Sequence, residues 1–350
     1  MKGKVVQFTD GRKVDIVDCE VGDPGPAQAR VRTLYTAISR GTELAFYRGS
    51  APQFERSFDS GTRLFTDGAQ VKYPLKYGYT HVGEVTAVGD AAVGASVGDV
   101  VFSSAGHATG VLVPAREDRH PCRLPAGLDP RMGTFTPLGI VAYNALLDSG
   151  YVFGDSVVVF GAGVIGQLAV QMARLAGAGR VTAVDMLESR LELARRSGAD
   201  EALSPEKTPD VAAAIREING GRGADLVIEC TGSTRALAEA IRCACVDGTV
   251  VVSSFYGGEA RGLRLGEEFH HNRVRLVSSQ LGSVSPAVSN RWSVQRRNQA
   301  VVDLLPRLEL EPLISHVMPQ EKAAEAFAML DERPDECMHV ILEYGSEQKQ

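Results

Sequence analysis

The sequence predicts an α/β protein in which a doubly wound parallel sheet is joined to a β-rich half. Three observations carry this expectation. From residue 155 onward, short continuous Val/Ile/Leu runs alternate with helical stretches, as parallel strands buried on both faces do. Residues 1–125 instead show β-branched runs broken by Gly, Pro and Asp turns. At 350 residues the chain exceeds what one hydrophobic core usually supports, so two domains are expected.

In the first half KVVQF, ARVRTLYTAI, HVGEVTAVG and GDVVFSS read as strands. DPGPAQ at 23–28 reads as a turn, and 50–72 as a polar, Gly/Ser-rich loop or short helix. A second unit begins near Leu124, where LPAGLDP leads into a helical stretch over 131–149. Strand VVVF (157–160) precedes a helix over 164–178, strand VTAVD (181–185) and a helix over 188–198. A helix over 209–219 leads to DLVIEC (225–230), a helix over 234–245, GTVVVSS (248–254) and RLVSSQ (275–280). Helical patterns at 290–306 and 320–331 and a terminal strand, HVILEY, close the chain. The expected domains are therefore 1–124, completed by 286–350, and 125–285.

Composition excludes several classes. Hydrophobic residues at 44% and charged residues at 23% are those of a globular protein. The net charge of -6 supplies no basic face for nucleic acid, and Arg195-Arg196 and Arg296-Arg297 are short enough to be solvated helix faces. No apolar run approaches the roughly 20 residues that span a bilayer. The N-terminal MKGKVVQFTDGRKV alternates like a strand and lacks the apolar block of a signal peptide, so a cytoplasmic protein with no membrane partner is expected. Six cysteines (Cys19, Cys122, Cys230, Cys243, Cys245, Cys337) are scattered without a CxxC pair, which reads as buried thiols, not a disulfide or metal framework.

The chemistry-bearing motif is Gly161-Ala162-Gly163-Val164-Ile165-Gly166. It follows a strand, opens an amphipathic helix, and leads to a second strand ending in Asp185. Gly161 permits a tight turn, Gly163 lets backbone N–H groups approach a pyrophosphate, and Gly166 allows close helix–strand packing. The helix starting near Val164 turns its positive end to that anion. This is the pattern of a Rossmann dinucleotide site. Asp185 stands where a carboxylate accepts the ribose hydroxyls, and a 2′-phosphate there would meet like charge, so NAD is favoured over NADP. Arg190 lies against the adenine or faces solvent. Ligands bind at the carboxyl ends of such strands, which makes Cys230 and Thr231 nicotinamide-side candidates, with Ser253 and Ser254 in the equivalent place on the next strand.

A GTE motif near residue 41, the PLKYGYTHVGEV segment, the Gly98-Asp99-Val100-Val101 turn, GAGVIG, VDMLESRLELA and IECTG occur in this order. Over essentially the whole chain this order resembles the medium-chain dehydrogenase/reductase superfamily. The resemblance implies a GroES-like catalytic domain built from both chain ends around the Rossmann domain, and a homodimer or homotetramer. Its zinc enzymes supply a Cys from an I-C-G-T-D-like motif, a His from G-H-E and a second Cys shortly before a T-G-Y-like motif. Here the first motif reads Ile38-Ser39-Arg40-Gly41-Thr42-Glu43, with one extra residue and no Cys. The second reads Gly78-Tyr79-Thr80, and the third places Pro137 at the Cys position. The four-Cys structural lobe is also missing from residues 90–115. The resemblance therefore points to a zinc-free enzyme, similar to the subgroup with an S-x-G-T-E motif that includes bacteriochlorophyllide hydroxyethyl dehydrogenases and natural-product dehydrogenases.

Without a metal, protein donors must stabilise the developing alkoxide and move its proton. The candidates are the hydroxyls of Ser39, Thr42 and Tyr79, with His81 and His107 as relays. Thr42 matches the proton-relaying hydroxyl of the zinc relatives. Tyr79 either donates to a substrate oxygen or fills the vacated metal pocket. Glu43 is expected to be structural, pairing with Arg40, which alternatively reaches the pyrophosphate. His107 is a relay or a structural residue in a strand. Tyr143 lies near the nicotinamide or in the core, and Trp292 shapes a substrate pocket or a subunit contact. Three functions follow from the resemblance: reversible oxidation of a secondary alcohol on a polyol, cyclitol or specialised-metabolite small molecule; reduction of an activated C=C bond, against which Asp185 weighs because such reductases more often prefer NADPH; or nucleotide binding without turnover.

Overall fold

The computed structural model describes residues 2–345. Alternating apolar and polar residues make β1 (Lys2–Asp10), which turns back into β2 (Lys13–Glu20); β3 (Gln28–Ala37) follows the Pro/Gly turn. Helix α1 (Thr42–Arg48) stops at Gly49, whose left-handed conformation (φ 73°) satisfies the last carbonyls. A hairpin, β4 (Arg56–Asp59) and β5 (Leu64–Asp67), precedes β6 (His81–Val88), β7 (Val100–Ser103), β8 (Gly110–Pro114) and the short β9 (Cys122–Arg123). Residues 50–72 are thus more ordered than their polar composition suggested. They hold a single 3-10 turn and a hairpin whose Phe58 and Phe65 pair across the strands at 5.2 Å.

Helix α2 (Thr136–Ser149) is followed by β10 (Ser156–Phe160), α3 (Val164–Leu175), β11 (Arg180–Val184) and α4 (Glu188–Arg196). Next come β12 (Glu201–Leu203), α5 (Val211–Ile218), β13 (Ala224–Glu229), α6 (Thr234–Cys243), β14 (Ala244–Val252) and β15 (Arg275–Ser278). The chain closes with α7 (Val294–Leu304), β16 (Ile314–Pro319), α8 (Ala323–Glu332) and β17 (His339–Glu343). Strand β12 was not expected; its three residues carry too little apolar pattern to announce a strand.

The chain divides into two compact units. The first runs to Pro137 and takes back Val302–Pro306 and the chain from Leu313; the second is Leu138–Val301 with Arg307–Pro312. These divisions lie twelve or more residues beyond the expected ones at 124/125 and 285/286. Packing explains both shifts. Gly133 sits so close to Leu124 and Val82 that a Cβ there would be 2.7 and 2.9 Å from their side chains, which holds 125–137 in the first unit. At the other end, a Cβ on Gly139 would lie 2.8 Å from Val301, and Gln171 exchanges two hydrogen bonds with the backbone of Glu309, which keeps those segments in the second.

The first unit is β-rich. Its seven-stranded sheet runs β16-β17-β3-β6-β7-β9, with β8 also paired to β3. Ala29, Val31, Val85, Val101 and Val113 fill one core on this sheet. A second core joins β1, α1 and α8 through Phe8, Leu44, Tyr47 and Phe327. The second unit carries an all-parallel sheet ordered β12-β11-β10-β13-β14-β15. This is the Rossmann order, and its reversal falls between β10 and β13. Val158, Phe160, Val227, Val250, Ile215 and Ile241 bury one face of that sheet under α5 and α6. No helix among the described residues is long and apolar enough to cross a membrane.

Candidate functional site

In the second unit β10 delivers the glycine loop. Gly161 takes φ +89°, and a Cβ there would strike the Thr231 side chain at 2.8 Å; a Cβ on Gly166 would lie 1.8 Å from the Gly161 carbonyl oxygen. Neither position admits a side chain. Over Gly163 a Cβ would meet nothing within 4 Å, so the backbone there is open to an anion as α3 begins at Val164. Val164 is buried and Ile165 half-buried beneath that first turn. The Ala162 N–H donates to Asp185 Oδ2 (2.8 Å) and the Leu187 N–H to Oδ1 (2.9 Å), so Asp185 at the end of β11 is tied to the loop and each oxygen keeps a free lone pair. Arg190 lies beside this carboxylate, its guanidinium 3.9 Å from Oδ2 and its side chain 12% exposed, which removes the solvent-facing alternative.

The next two strand ends lie on the other side of the reversal. The Cys230 N–H donates to the Phe160 carbonyl (2.8 Å), and its thiol is pushed far up by burial and then by the Glu229 charge. Glu229 itself is fully buried. Its Oε1 accepts from the Thr231 N–H (2.6 Å) and hydroxyl, and its Oε2 from the hydroxyls of Ser254 (2.7 Å) and Tyr256 (2.5 Å). Burial and this carboxylate drive the Tyr256 phenol well above its ordinary pKa. The Ser253 N–H donates to the Glu229 carbonyl (3.0 Å), while its Oγ is buried with no partner among the described residues, an orphan where α/β sheets receive ligands. Sequence reasoning missed Glu229 and Tyr256. The available signal was a charged residue ending the otherwise apolar run DLVIE.

An open Gly163, a helix N-terminus, a tethered Asp185 and the orphan Ser253 Oγ fit a dinucleotide. A nicotinamide cofactor would be held by these groups.

In the first unit α1 organises the candidate donors. Its first turn is tied back by the Glu43 N–H donating to the Ser39 carbonyl (3.1 Å). The Tyr79 phenol donates to Ser39 Oγ, and the Thr42 hydroxyl also hydrogen-bonds it. Burial, and then the Glu43 charge, pushes the Tyr79 pKa up to about 12, against smaller opposing effects of Ser39 and Thr42. Structure therefore brings Ser39, Thr42 and Tyr79 together. Behind them Glu43 Oε2 meets His107 Nε2 at 2.8 Å with both side chains fully buried, and His107 Nδ1 meets Thr36 Oγ1 at 2.8 Å. Gly78 makes room for this ring, since a Cβ there would fall 2.9 Å from His107 Cδ2.

Three expectations are corrected here. Glu43 pairs with His107 and not with Arg40, which is exposed; and His107 lies in a bend before β8, not in a strand. His81 is not placed as a relay. Fully buried, it spends its ring nitrogens on Thr33 (2.9 Å) and Ser103 (2.9 Å), and burial lowers its pKa to about 3. In the second unit Tyr143 packs on Trp292 (5.7 Å), whose ring also carries the Arg296 guanidinium at 4.3 Å.

The positions that the sequence resemblance matches to zinc ligands offer poor ligands: Ser39 and Pro137 supply no thiolate and Tyr79 no imidazole. Among the described residues no group of three His, Cys, Asp or Glu side chains is arranged to hold a metal.

The parallel sheet, its glycine loop and the acidic end of β11 define a Rossmann-type dinucleotide fold. The comparisons agree. A family described as zinc-binding dehydrogenase matches residues 164–295. The chain is 30% identical over 320 residues to the D-guloside 3-dehydrogenase of Escherichia coli K12, covering 89% of this chain and 91% of that one. It is 32% identical over 303 residues to the L-threonine 3-dehydrogenase of Saccharopolyspora erythraea, covering 78% and 83%. Its fold superposes with TM-score 0.79 on a putative zinc-binding dehydrogenase of Sinorhizobium meliloti bound to NADP, at 22% identity over 98% of this chain and 99% of that one. The chain belongs to the zinc-binding-type alcohol dehydrogenases of the medium-chain dehydrogenase/reductase superfamily and is an oxidoreductase.

Proposed function

We propose that the protein is an NAD-preferring, zinc-independent dehydrogenase that oxidises a secondary alcohol of a polyhydroxylated substrate to a ketone. The observation that carries this reading is the Tyr79–Ser39 hydrogen bond at the positions where zinc relatives place metal ligands. The relative named D-guloside 3-dehydrogenase supports the substrate class, because the 3-position of a hexoside ring is a secondary carbinol. Asp185 supports NAD, since its carboxylate suits ribose hydroxyls and repels a 2′-phosphate.

When bound, the nicotinamide ring supplies hydride transfer with the carbinol carbon. The residues of the chain handle the proton. With its pKa near 12 the Tyr79 phenol is protonated at neutral pH, so it is a donor to the substrate oxygen and not a standing base. Its own proton points to Ser39 Oγ. In ketone reduction hydride adds to the carbonyl carbon, the phenol gives its proton to the oxygen and takes the Ser39 hydroxyl proton, and Ser39 is reprotonated from solvent. In alcohol oxidation each transfer runs backward and the proton leaves to solvent. Once turned from Ser39 to a bound substrate oxygen, the phenol O–H stabilises the oxygen charge that zinc stabilises in the relatives.

The test combines metal analysis with substrate screening. Purified protein is expected to contain no stoichiometric zinc and to reduce NAD faster than NADP with glycosides or polyols. Asp185→Ala should narrow that NAD preference by about tenfold, the size of one lost hydrogen bond to a charged group. One tightly held zinc per chain, or turnover of enones and no alcohols, would overturn the proposal.

A further inference from the structure

Resting on the dinucleotide reading, we propose that Glu229 is a buried, uncompensated anion that selects the oxidised cofactor, whose nicotinamide ring is cationic, over the reduced one, whose ring is neutral. Its position comes from the sheet. Glu229 is the last residue of β13 and pairs with Phe160, the residue before Gly161. Asp185 marks the adenosine side, at the end of β11. A dinucleotide straddles the reversal of strand order, so its other half faces the ends of β13 and β14, where Glu229, Thr231, Ser253 and Ser254 gather.

Its charge state comes from the donors. Three hydroxyls and one backbone N–H converge on the two oxygens, and the Ser254 and Tyr256 contacts of 2.7 and 2.5 Å have the length of hydrogen bonds to an ionised acceptor. All four donors are neutral, and Glu229 forms no ion pair with a Lys, Arg or His among the described residues. The dipoles hold the charge without cancelling it, so its field persists beyond the cage. A cationic ring brought to these strand ends is attracted; a neutral ring gains nothing from the charge. The enzyme therefore captures oxidised cofactor and releases reduced cofactor more readily. By linkage, acceptance of hydride on the enzyme becomes less favourable by the same factor.

A bracing role for Glu229 and a charge role separate in one ratio. Dissociation constants for NAD+ and NADH are measured by titration calorimetry on the full chain. Glu229→Gln should raise the Kd(NAD+)/Kd(NADH) ratio roughly tenfold, whereas Glu229→Asp, which keeps the charge, should leave it within about twofold. Ser254→Ala removes one donor and should shift both constants together. Where Glu229→Gln does not fold, the wild type carries the test with ADP-ribose as ringless reference: the oxidised ring should add more affinity than the reduced ring. An unchanged ratio in Glu229→Gln, or an equal or greater gain from the reduced ring, overturns the proposal. If the wild type binds neither NAD+ nor NADH, the dinucleotide reading itself fails, an outcome distinct from binding both with an insensitive ratio.

Discussion

Among the described residues each unit buries one carboxylate completely, and they are satisfied in opposite ways. Glu43, in the first turn of α1, leans on a single aromatic ring: one oxygen meets His107 and the other has no partner. Glu229, at the end of β13, uses both oxygens and four neutral donors. Burying a carboxylate is costly unless it is paired or fully hydrogen-bonded, and the two units meet that demand by different routes. Pairing makes the first unit dependent on one residue, while a dipole cage spreads the dependence and leaves the charge free to act on a ligand.

The largest effect expected from this contrast falls on His107. His107→Phe strands Glu43 in apolar surroundings and should cost about 3–5 kcal/mol of stability in urea unfolding. Glu43→Gln keeps a polar partner for the ring and should cost about 1 kcal/mol. Equal costs for the two variants would show that pairing does not govern the first carboxylate and would break the comparison.

A smaller effect separates the chemistry of the units. Tyr79→Phe removes the phenol that faces Ser39 in the first unit, whereas the glycine loop belongs to the second. If the proposed donor role holds, the variant should lower kcat by about 100-fold with the Kd for NAD unchanged, the loss usual for an oxyanion donor or general acid. A normal kcat would leave Tyr79 as a space-filling residue.

The two units also differ in how much of them the sequence disclosed. The shape of the glycine loop was legible because a strand, a turn and a helix N-terminus adjoin in sequence, and Asp185 and Thr231 could be placed because each ends an apolar run. The Glu229 cage was not, since Thr231, Ser254 and Tyr256 meet only after β13 and β14 pair. Likewise Ser39, Thr42 and Tyr79 could be named as hydroxyls at motif positions, but the Glu43–His107 bond spans 64 residues and no periodicity foretells it. His81 was misjudged for a related reason. Its place in a motif suggested chemistry, whereas its partners Thr33 and Ser103 lie on neighbouring strands of the sheet. The hairpin at 56–67 was hidden by a composition rich in turn formers that masked one aromatic pair.

Two other buried histidines supply the gentlest test, because His81 and His339 both belong to the first unit. His339 stacks on Phe135 at 4.0 Å and bonds Thr134 Oγ1 at 2.9 Å, and burial lowers its pKa to about 3, as it does for His81. In the unfolded chain both titrate near the ordinary value of 6.5. Below that pH the unfolded state binds protons that the folded state refuses, so stability is lost as pH falls from about 6.5 toward 3 and is fully present above that range. Each ring contributes a slope of up to about 1.4 kcal/mol per pH unit. Urea midpoints measured from pH 7.5 to 5 should fall accordingly, and His339→Leu, which removes one titrating ring, should flatten the curve by roughly that slope even if it lowers stability at pH 7.5. If the slope is unchanged in His339→Leu, acid lability originates outside these rings, and the first unit's reliance on buried neutral imidazoles is not what distinguishes it from the second.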